Sequence, residues 1–171
     1  MKILLTEDAI RQRVDLLAAQ MNSQYGNQPI TIVGVLTGCI VLLADLIRRL
    51  EMPIRIALIQ ASSYRGETTT SGELRISRDF LPDLRGRDVV LIDDILDTGK
   101  TIAYLKEHLL AMNVQSVRTC VLLRKIGRQI VPFEPDYIGF EIPDEFVVGY
   151  GLDYNDEYRN LPYIGVLNQD A

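Results

Sequence analysis

The sequence predicts an α/β fold, with a doubly wound, mostly parallel sheet flanked by helices and a small cap built from the terminal segments. Continuous apolar runs of strand length, such as ITIVGVL and DVVLIDD, alternate with segments of helical periodicity. Such runs are typical of strands covered on both faces, and their alternation with helices predicts a parallel sheet. Ligands of these sheets bind beyond the carboxyl ends of the strands, so functional residues are expected in the loops there.

The first half of the chain predicts a helix, a βα unit and a further strand. From Thr6 to Met21 the apolar residues recur at helical spacing, and acids occupy the first turn, where the helix dipole favours them. The polar, glycine-bearing stretch at about residues 62–79 predicts a mobile loop or hairpin arm. Between these segments lie, in order, a predicted strand, turn, helix and strand: ITIVGVL, TGC, IVLLADLIRRL and IRIALIQA.

The second half predicts a strand, helix and strand followed by shorter strands. The three longer segments are DVVLIDD, TIAYLKEHLLAM and SVRTCVLL. Three short apolar segments, separated by proline and acidic turns, predict extra strands that form the small cap: YIGFEI, FVVGYGL and YIGVL. The length of 171 residues and the absence of an internal repeat predict a single domain over residues 1–171.

The composition is that of a soluble globular protein. Hydrophobic residues make up 47% and charged residues 24%, and no apolar run reaches the ~20 residues that a bilayer span needs. The opening segment, MKILLTEDAIRQRV, places acids close to a very short apolar stretch and matches neither a signal peptide nor a transit peptide. Cys39 and Cys120 lack the spacing of a zinc site or a disulfide framework. Reduced thiols and a cytoplasmic location are therefore expected.

Charge and histidine content narrow the class of function. The formal net charge is −5, whereas nucleic-acid binding depends on Lys and Arg residues that neutralise phosphates. His108 is the only histidine and lies on a predicted helix, so a His-dependent catalytic triad is not favoured. Small-molecule chemistry, with no nucleic-acid or membrane partner, is the expected class of function.

Residues 89–101, VVLIDDILDTGKT, combine acids with an anion-binding turn. Because the predicted strand is covered on both faces, Asp93 and Asp94 are expected together at its carboxyl end. The turn feeds a helix whose free N–H groups face the same crevice and can hold a phosphate. The acids can accept hydrogen bonds from sugar hydroxyls, or hold Mg²⁺ directly or through water. The residues of the turn are Thr98, Gly99, Lys100 and Thr101.

Two other interpretations of this segment are possible. GKT closes a P-loop signature, but the first glycine of that signature falls at Asp94, whose charge would repel the phosphates. Alternatively, two acids simply end a strand and Asp97 simply starts a turn, which is common for either feature alone. The apolar run, the acid pair, Asp97 a few residues later and the TGKT turn occur together, and this combination favours a functional site.

The segment closely resembles the ribose-phosphate binding signature of the type I phosphoribosyltransferases, and this resemblance implies the type I phosphoribosyltransferase fold. It implies that Asp93 and Asp94 contact the ribose hydroxyls of phosphoribosyl pyrophosphate and its Mg²⁺ environment. The 5′-phosphate is then expected in the turn from Asp97 to Thr101. Many members of the purine branch carry Glu where Asp93 stands, so this chain keeps the charge on a shorter side chain.

A second region is similar to the hypoxanthine-guanine branch of that family. The likeness runs nearly end to end from Leu122 to Arg159, and with the earlier loops it covers about residues 30–167. It implies that the base is bound by residues of this region and that the pyrophosphate is reached by Arg159. The residues implied at the base are Lys125 at the 6-oxo group, Phe146 stacked on the ring, Val147 through main-chain atoms, and Asp153 near the base and a second Mg²⁺.

The chemistry of these residue types agrees with the implied roles. A buried aromatic such as Phe146 offers a flat apolar face, a lysine ammonium is only a donor, and an arginine fork suits pyrophosphate oxygens. Taken singly, each has an ordinary interpretation, with Phe146 in the core and Lys125 or Arg159 as a solvated surface charge. Their match to one pattern in order is what favours the functional interpretation.

Two loops complete the site that the resemblance implies. LTGC stands where the family has a pyrophosphate-binding loop, usually with Lys in the place of Thr37. Main-chain N–H groups around Gly38 can still bind an anion there. Ser63 and Tyr64 begin the stretch that in the family closes over the reacting atoms and excludes water. Without the resemblance, that stretch would be interpreted as a flexible surface hairpin.

The resemblance implies Mg²⁺-dependent transfer of a 5-phosphoribosyl group from phosphoribosyl pyrophosphate to hypoxanthine or guanine, which yields IMP or GMP in purine salvage. Asp97 is the expected general base at the purine imidazole, or the partner of its N–H. The expected metal ligands are Asp93, Asp94 and Asp153. A xanthine-preferring enzyme and an RNA-binding regulator on the same fold are the alternatives. Apolar surface from Ile30 to Leu50 predicts a homodimer or homotetramer.

Overall fold

The structure, a computed structural model, describes residues 1–63, 74–77 and 79–168. Its helices are α1 (Glu7–Tyr25), α2 (Ile40–Ile47) and α3 (Lys100–Leu110). Its strands are β1 (Lys2–Leu5), β2 (Ile30–Leu36), β3 (Ile54–Ser63), β4 (Leu74–Ser77), β5 (Asp88–Leu96), β6 (Ser116–Lys125), β7 (Tyr137–Ile142), β8 (Val147–Val148) and β9 (Ile164–Val166). None of these helices is long and apolar enough to cross a membrane.

Six strands form the main sheet, in the order β4-β3-β2-β5-β6-β7. The neighbours from β3 to β7 are parallel, and β4 lies antiparallel at one edge. The chain goes outward from β2 to β3 and, after β4, crosses back to β5 and continues through β6 to β7. The direction of winding therefore reverses between β2 and β5, where doubly wound sheets bind their ligands. The predicted α/β architecture is confirmed.

Helices cover both faces of the main sheet. Helices α1 and α2 pack on one face, in a hydrophobic cluster that includes Ile32 and Ile92. Helix α3 packs on the other face, in a cluster that includes Val33 and Leu91. Because successive side chains of a strand point to opposite faces, each apolar run supplies both clusters. This burial on two sides explains why these strands show no alternation of apolar and polar residues.

Helix α1 has a capped amino end. The Thr6 side chain accepts a hydrogen bond from the N–H of Ala9 at 3.2 Å, and Glu7 and Asp8 occupy the first turn. Such a cap satisfies one of the N–H groups that have no partner within a helix. The helix continues beyond Met21 to Tyr25, so the predicted start is confirmed and the predicted end is too early.

The terminal segments meet in a small antiparallel sheet of order β1-β9-β8. Lys2 and Val147 both pair with Val166, which joins the start of the chain to its last strands. The predicted cap is therefore present, but the assignment of YIGFEI to it is wrong. That segment is β7, which pairs in parallel with β6 at the edge of the main sheet. Its residues alternate in burial more than those of the central strands, and this made it look like a cap strand.

The end of β3 pairs antiparallel with β4, which lies in the predicted arm. Their pairing runs from Gln60 opposite Ser77 to Ser63 opposite Leu74. The residues between the strands, 64–73, and residue 78 lie outside the described residues. The predicted mobility of this segment therefore stays a prediction.

The apolar residues between Ile30 and Leu50 are mostly interior. Ile40 is the exception among the large side chains, with 48% of its surface exposed. Most of the apolar surface expected over this range is therefore buried, because β2 lies inside the sheet and α2 turns its apolar side to the core. The buried residues of the range include Ile30, Ile32, Val33, Val35, Leu42, Leu43 and Leu46. The oligomer itself stays a prediction.

Candidate active site

Two neighbouring carboxylates lie where the winding of the main sheet reverses. The pairing of β5 with β2 ends at Ile92, whereas its pairing with β6 continues to Leu96. Asp93 and Asp94 occupy the part of β5 that has separated from β2, so they border the opening between these strands. The strand extends past the acids, which differs from the prediction that it ends there, because β6 still supplies hydrogen-bonding partners.

The two carboxylates are held by the backbone and repel each other. Asp93 Oδ1 accepts from the Asp94 N–H at 2.8 Å, and Asp94 Oδ1 accepts from the Ile95 N–H at 2.7 Å. Burial, together with the neighbouring Asp94 charge, raises the pKa of Asp93 well above its usual range. Burial also raises the pKa of Asp94. A cation bound at this pair would offset both effects, since a nearby opposite charge favours the ionised form.

The turn between β5 and α3 has the geometry of an anion site. Gly99 has a φ of 86°, a left-handed conformation that favours glycine, and α3 begins directly after it. The first N–H groups of a helix have no partner within the helix and attract anions. Thr98 and Thr101 line the cavity beside this turn, whereas Lys100 is exposed and does not line it. The predicted role of Lys100 stays a prediction.

The loop after β2 packs directly on the acid pair. A Cβ atom placed on Gly38 would lie 1.8 Å from Asp94 Oδ2, so only glycine allows this approach. Thr37 precedes it, joined to Leu36 by a cis peptide bond, and is exposed at the mouth of the cavity. This loop can therefore present main-chain groups beside the acids without filling the space above them.

Arg159 lies at the same opening. Its Nη1 donates to the Gly151 carbonyl at 2.8 Å, and its Nη2 lies 3.2 Å from Asp153 Oδ1. The cavity there has a volume of about 340 Å³. It brings together ten residues that the sequence predicts for the site: Thr37, Gly38, Asp93, Asp94, Asp97, Thr98, Gly99, Thr101, Asp153 and Arg159. Their individual roles stay predictions.

A smaller cavity, of about 210 Å³, adjoins the first one. Lys125 ends β6 and Val147 begins β8, so the main sheet and the small sheet each supply a wall. Three carboxylates line both cavities: Asp94, Asp97 and Asp153. Pockets for drug-sized ligands occupy roughly 300–1,000 Å³, so this smaller space suits a single planar base.

Phe146 lines the smaller cavity but is not a core residue. Its side chain is 36% exposed, so the expectation of a buried ring is wrong. It precedes β8 at the mouth of the cavity, and Tyr154 packs edge-on against it with 5.6 Å between ring centroids. A partly exposed aromatic ring held by a neighbour can receive a planar ligand.

Asp97 is bound by an arginine that sequence reasoning did not single out. Arg128 Nε donates to Asp97 Oδ1 at 3.0 Å. The same Nε lies 3.7 Å from Asp144 Oδ1, and Lys125 Nζ lies 3.6 Å from that oxygen. The sequence offers little signal for these contacts, because they depend on the conformation of the loop after β6. Tyr154, beside Phe146, was also missed, because its contact depends on the conformation of the loop between β8 and β9.

Two predicted lid residues fall at the limit of the described chain. Ser63 is the last residue of β3, and Tyr64 lies outside the described residues. Their predicted role in closing the site therefore stays a prediction.

The acid pair fits a magnesium ion that arrives with a phosphorylated ligand. Within residues 1–63, 74–77 and 79–168, no three His, Cys, Asp or Glu side chains form a group that could hold a metal by themselves. Asp93, Asp94 and Asp153 therefore make no complete protein cage. Mg²⁺ typically binds through one or two carboxylates, waters and substrate phosphates. Two crowded carboxylates beside an anion-binding turn match that arrangement.

Comparison with known families identifies the class of protein. Residues 1–155 match the family model described as the phosphoribosyl transferase domain. A solved structure of a hypoxanthine phosphoribosyltransferase variant from Trypanosoma cruzi, in complex with the product IMP, has a TM-score of 0.91 with this chain. The two are 37% identical, and the match covers 99% of this chain and 91% of that one. Fold and site therefore define a phosphoribosyltransferase, as the sequence motif predicted.

Two curated relatives narrow the class. The chain is 40% identical over 170 residues to the hypoxanthine-guanine phosphoribosyltransferase of Streptococcus mutans, which covers 99% of this chain and 94% of that protein. It is 39% identical over 169 residues to the bifunctional protein TilS/HprT of Listeria innocua, and there it spans only 26% of the longer protein. The chain therefore belongs to the hypoxanthine-guanine branch of the phosphoribosyltransferase family, a family of transferases.

Proposed function

We propose that this protein is a purine-salvage enzyme that transfers the 5-phosphoribosyl group from phosphoribosyl pyrophosphate to hypoxanthine or guanine, giving IMP or GMP and pyrophosphate. The observation that carries the proposal is the pair of adjoining cavities with the shared wall of Asp94, Asp97 and Asp153. A sugar phosphate in the larger cavity and a base in the smaller one would meet at that wall. The names of the Streptococcus mutans relative and of the IMP complex agree with this assignment.

The larger cavity is proposed to hold the donor. Its acid pair can accept hydrogen bonds from the ribose hydroxyls, and the turn from Asp97 to Thr101 can hold the 5′-phosphate on its N–H groups. The N–H groups around Gly38 and the guanidinium of Arg159, which line this cavity, would bind the pyrophosphate. Thr37 cannot supply the positive charge that Lys gives most relatives, so Arg159 is the charged side chain assigned to this group.

The smaller cavity is proposed to hold the base. Phe146 would stack on the ring, and the main chain of Val147 would bind its edge. Lys125 carries three donors and no acceptor, so it suits an oxo group at purine position 6. Only 11% of its side chain is exposed, which strengthens any hydrogen bond that its ammonium makes. Asp153 closes the wall between the two cavities.

The proposed reaction forms a bond from the imidazole nitrogen of the purine to C1′ of the sugar and breaks the bond from C1′ to pyrophosphate. Asp97 accepts the imidazole proton or orients it, because its carboxylate lines both cavities. The carboxylates of Asp93 and Asp94 stabilise the positive charge that develops on the ribose ring. Arg159 and the Gly38 loop retain the departing pyrophosphate.

Magnesium is the proposed cofactor, with Asp93 and Asp94 as the residues that hold it directly or through water and Asp153 near a second ion. When bound, Mg²⁺ supplies positive charge that stabilises the leaving pyrophosphate. Burial raises the pKa of both carboxylates, and the charge of Asp94 raises that of Asp93 further, so a bound cation would favour the ionised form of each.

The donor should lose affinity when the acid pair is neutralised. A protein carrying both Asp93→Asn and Asp94→Asn is expected to bind phosphoribosyl pyrophosphate at least tenfold more weakly, a change of about 1.4 kcal/mol, while its affinity for free base changes little. The donor carries the sugar hydroxyls and the metal, whereas the base does not. Calorimetry at fixed Mg²⁺ measures both affinities. Equal losses for the two ligands would instead indicate general damage to the site.

The proposed activity is tested with the unaltered protein, phosphoribosyl pyrophosphate, Mg²⁺ and each purine base in turn. Chromatography of the nucleotides should reveal IMP and GMP, formed together with pyrophosphate. Preferential formation of the xanthine nucleotide would make the enzyme xanthine-preferring. Salt-dependent RNA binding with no nucleotide formed in any mixture would favour the RNA-binding regulator instead.

A homodimer or homotetramer in the cytoplasm is also proposed. Exposed apolar side chains on α2 and β3, Ile40 and Ile56, offer surface for self-association. Cys39 and Cys120 are buried free thiols, which is typical of a reducing compartment. Light scattering of the purified protein measures its oligomeric state.

A further inference from the structure

We propose that Arg128 is a positioning residue for the transfer reaction, because it orients the carboxylate of Asp97 toward the base. This inference deepens the proposed function and rests on it, since it assigns a partner to the proposed proton acceptor. Four charged side chains take part, and together they form the base-side ion cluster: Asp97, Lys125, Arg128 and Asp144.

The contact between Arg128 and Asp97 uses one carboxylate oxygen. Arg128 Nε donates to Oδ1 at 3.0 Å, which leaves Oδ2 as the oxygen that can accept the N–H of a purine. The two side chains are 45% and 40% exposed. Ion pairs of that exposure contribute little to stability. Arg128 contacts a residue that lines both cavities, so its role is to orient the Asp97 carboxylate rather than to stabilise the fold.

The backbone of Arg128 is fixed relative to the phosphate turn. The N–H groups of Ile130 and Val131 donate to the Thr98 carbonyl at 2.9 and 3.1 Å. A Cβ atom on Gly99 would lie 3.1 Å from the Val131 carbonyl oxygen, so loop and turn are in close contact. Arg128 therefore extends from a loop that is docked on the residue next to Asp97, which limits the positions available to its guanidinium.

The cluster also connects the two residues proposed to act on the base. Asp144 Oδ1 lies 3.7 Å from Arg128 Nε and 3.6 Å from Lys125 Nζ. Two cations and two anions thus balance each other at the edge of the base cavity. Each cation of the cluster therefore keeps a carboxylate neighbour when the base engages Lys125 or Asp97. Asp144 lies between Lys125 and Arg128, so Arg128 keeps a carboxylate neighbour while Lys125 binds the ligand.

The test is a double-mutant cycle on the rate of the chemical step. In single-turnover experiments with saturating substrates, Arg128→Ala should slow nucleotide formation by about 10- to 100-fold, the size of effect expected from a misplaced catalytic group. Arg128→Lys should recover part of the rate, since lysine keeps the charge but lacks the fixed guanidinium geometry. Affinity for phosphoribosyl pyrophosphate and the melting temperature should stay at the wild-type values. The matched control is Arg85→Ala, which removes another exposed arginine hydrogen-bonded to an aspartate, Asp83.

The cycle separates this inference from the function on which it rests. Adding Arg128→Ala to Asp97→Asn should change the rate little beyond Asp97→Asn alone, because coupled residues are not additive. Full additivity of the two losses would overturn the inference, as would a wild-type rate in Arg128→Ala beside a slow Asp97→Asn. A wild-type rate in Asp97→Asn would remove the proton acceptor from the proposed function, and the inference with it.

Discussion

Replacement of Asp97 by asparagine should lower kcat by roughly 10²–10⁴ while the fold stays intact. Asparagine keeps the size of the side chain and an oxygen that can accept from Arg128 Nε, which in the native protein donates to Asp97 Oδ1 at 3.0 Å. It cannot take a proton from the purine imidazole. The loss therefore isolates proton acceptance from packing and from the contact with Arg128.

The rate must be measured where chemistry limits turnover. If product release is slower than chemistry, a loss in the chemical step stays hidden in kcat, so single-turnover rates are the decisive measurement. Affinity for phosphoribosyl pyrophosphate, measured alongside, serves as the control for an intact donor site. An unchanged single-turnover rate would remove Asp97 from the role of general base.

Lys125 should make the enzyme reject adenine by about 10⁴–10⁵ in kcat/KM relative to hypoxanthine. A protonated lysine can donate to the 6-oxo group but cannot accept from the 6-amino group of adenine. Its side chain is nearly buried, and its ammonium nitrogen lies 3.6 Å from Asp144 Oδ1. A site built around one specific hydrogen bond discriminates far better than an apolar pocket that senses one small group.

The matched experiment compares Lys125→Ala with Arg124→Ala. Lys125→Ala should lower turnover of hypoxanthine and guanine and narrow the gap to adenine. The Arg124 side chain donates to Glu134 at 2.9 and 2.7 Å and does not line the base cavity, so its removal should leave the preference unchanged. Comparable kcat/KM values for adenine and hypoxanthine in the unaltered protein would make the base assignment wrong, even if the phosphoribosyl site survived.

The architecture could be predicted because strands that are buried on both faces of the sheet have continuous apolar sequences. ITIVGVL and DVVLIDD are continuous apolar runs for that reason, and both became central parallel strands. YIGFEI was misassigned because an edge strand is less evenly buried than a central one. Its pairing with β6 depends on contacts between residues far apart in the sequence, so no local sequence pattern predicts it.

The position of site residues could be predicted where they lie close together in the sequence. Asp93, Asp94 and the following turn lie together because strand, turn and helix are consecutive in the chain. Arg128 and Asp144 could not be placed, because Arg128 lies in the loop between β6 and β7, Asp144 lies in the loop between β7 and β8, and their proximity depends on how these two loops fold. The exposure of Phe146 was missed because aromatic residues in apolar segments are usually core.

The site draws on two separately hydrogen-bonded sheets, and this gives the enzyme a modular specificity. The acid pair and the phosphate turn belong to the main sheet, whereas Phe146 and Val147 stand at the start of β8 in the small sheet. We expect substitutions in the small sheet to reshape the proposed base cavity while the parallel strands that carry the proposed donor contacts stay paired. Lys125 is the exception, since it ends a strand of the main sheet. On the proposed assignment, recognition at purine position 6 is therefore tied to the main sheet, and the rest of the base cavity is the part that substitutions can most readily change.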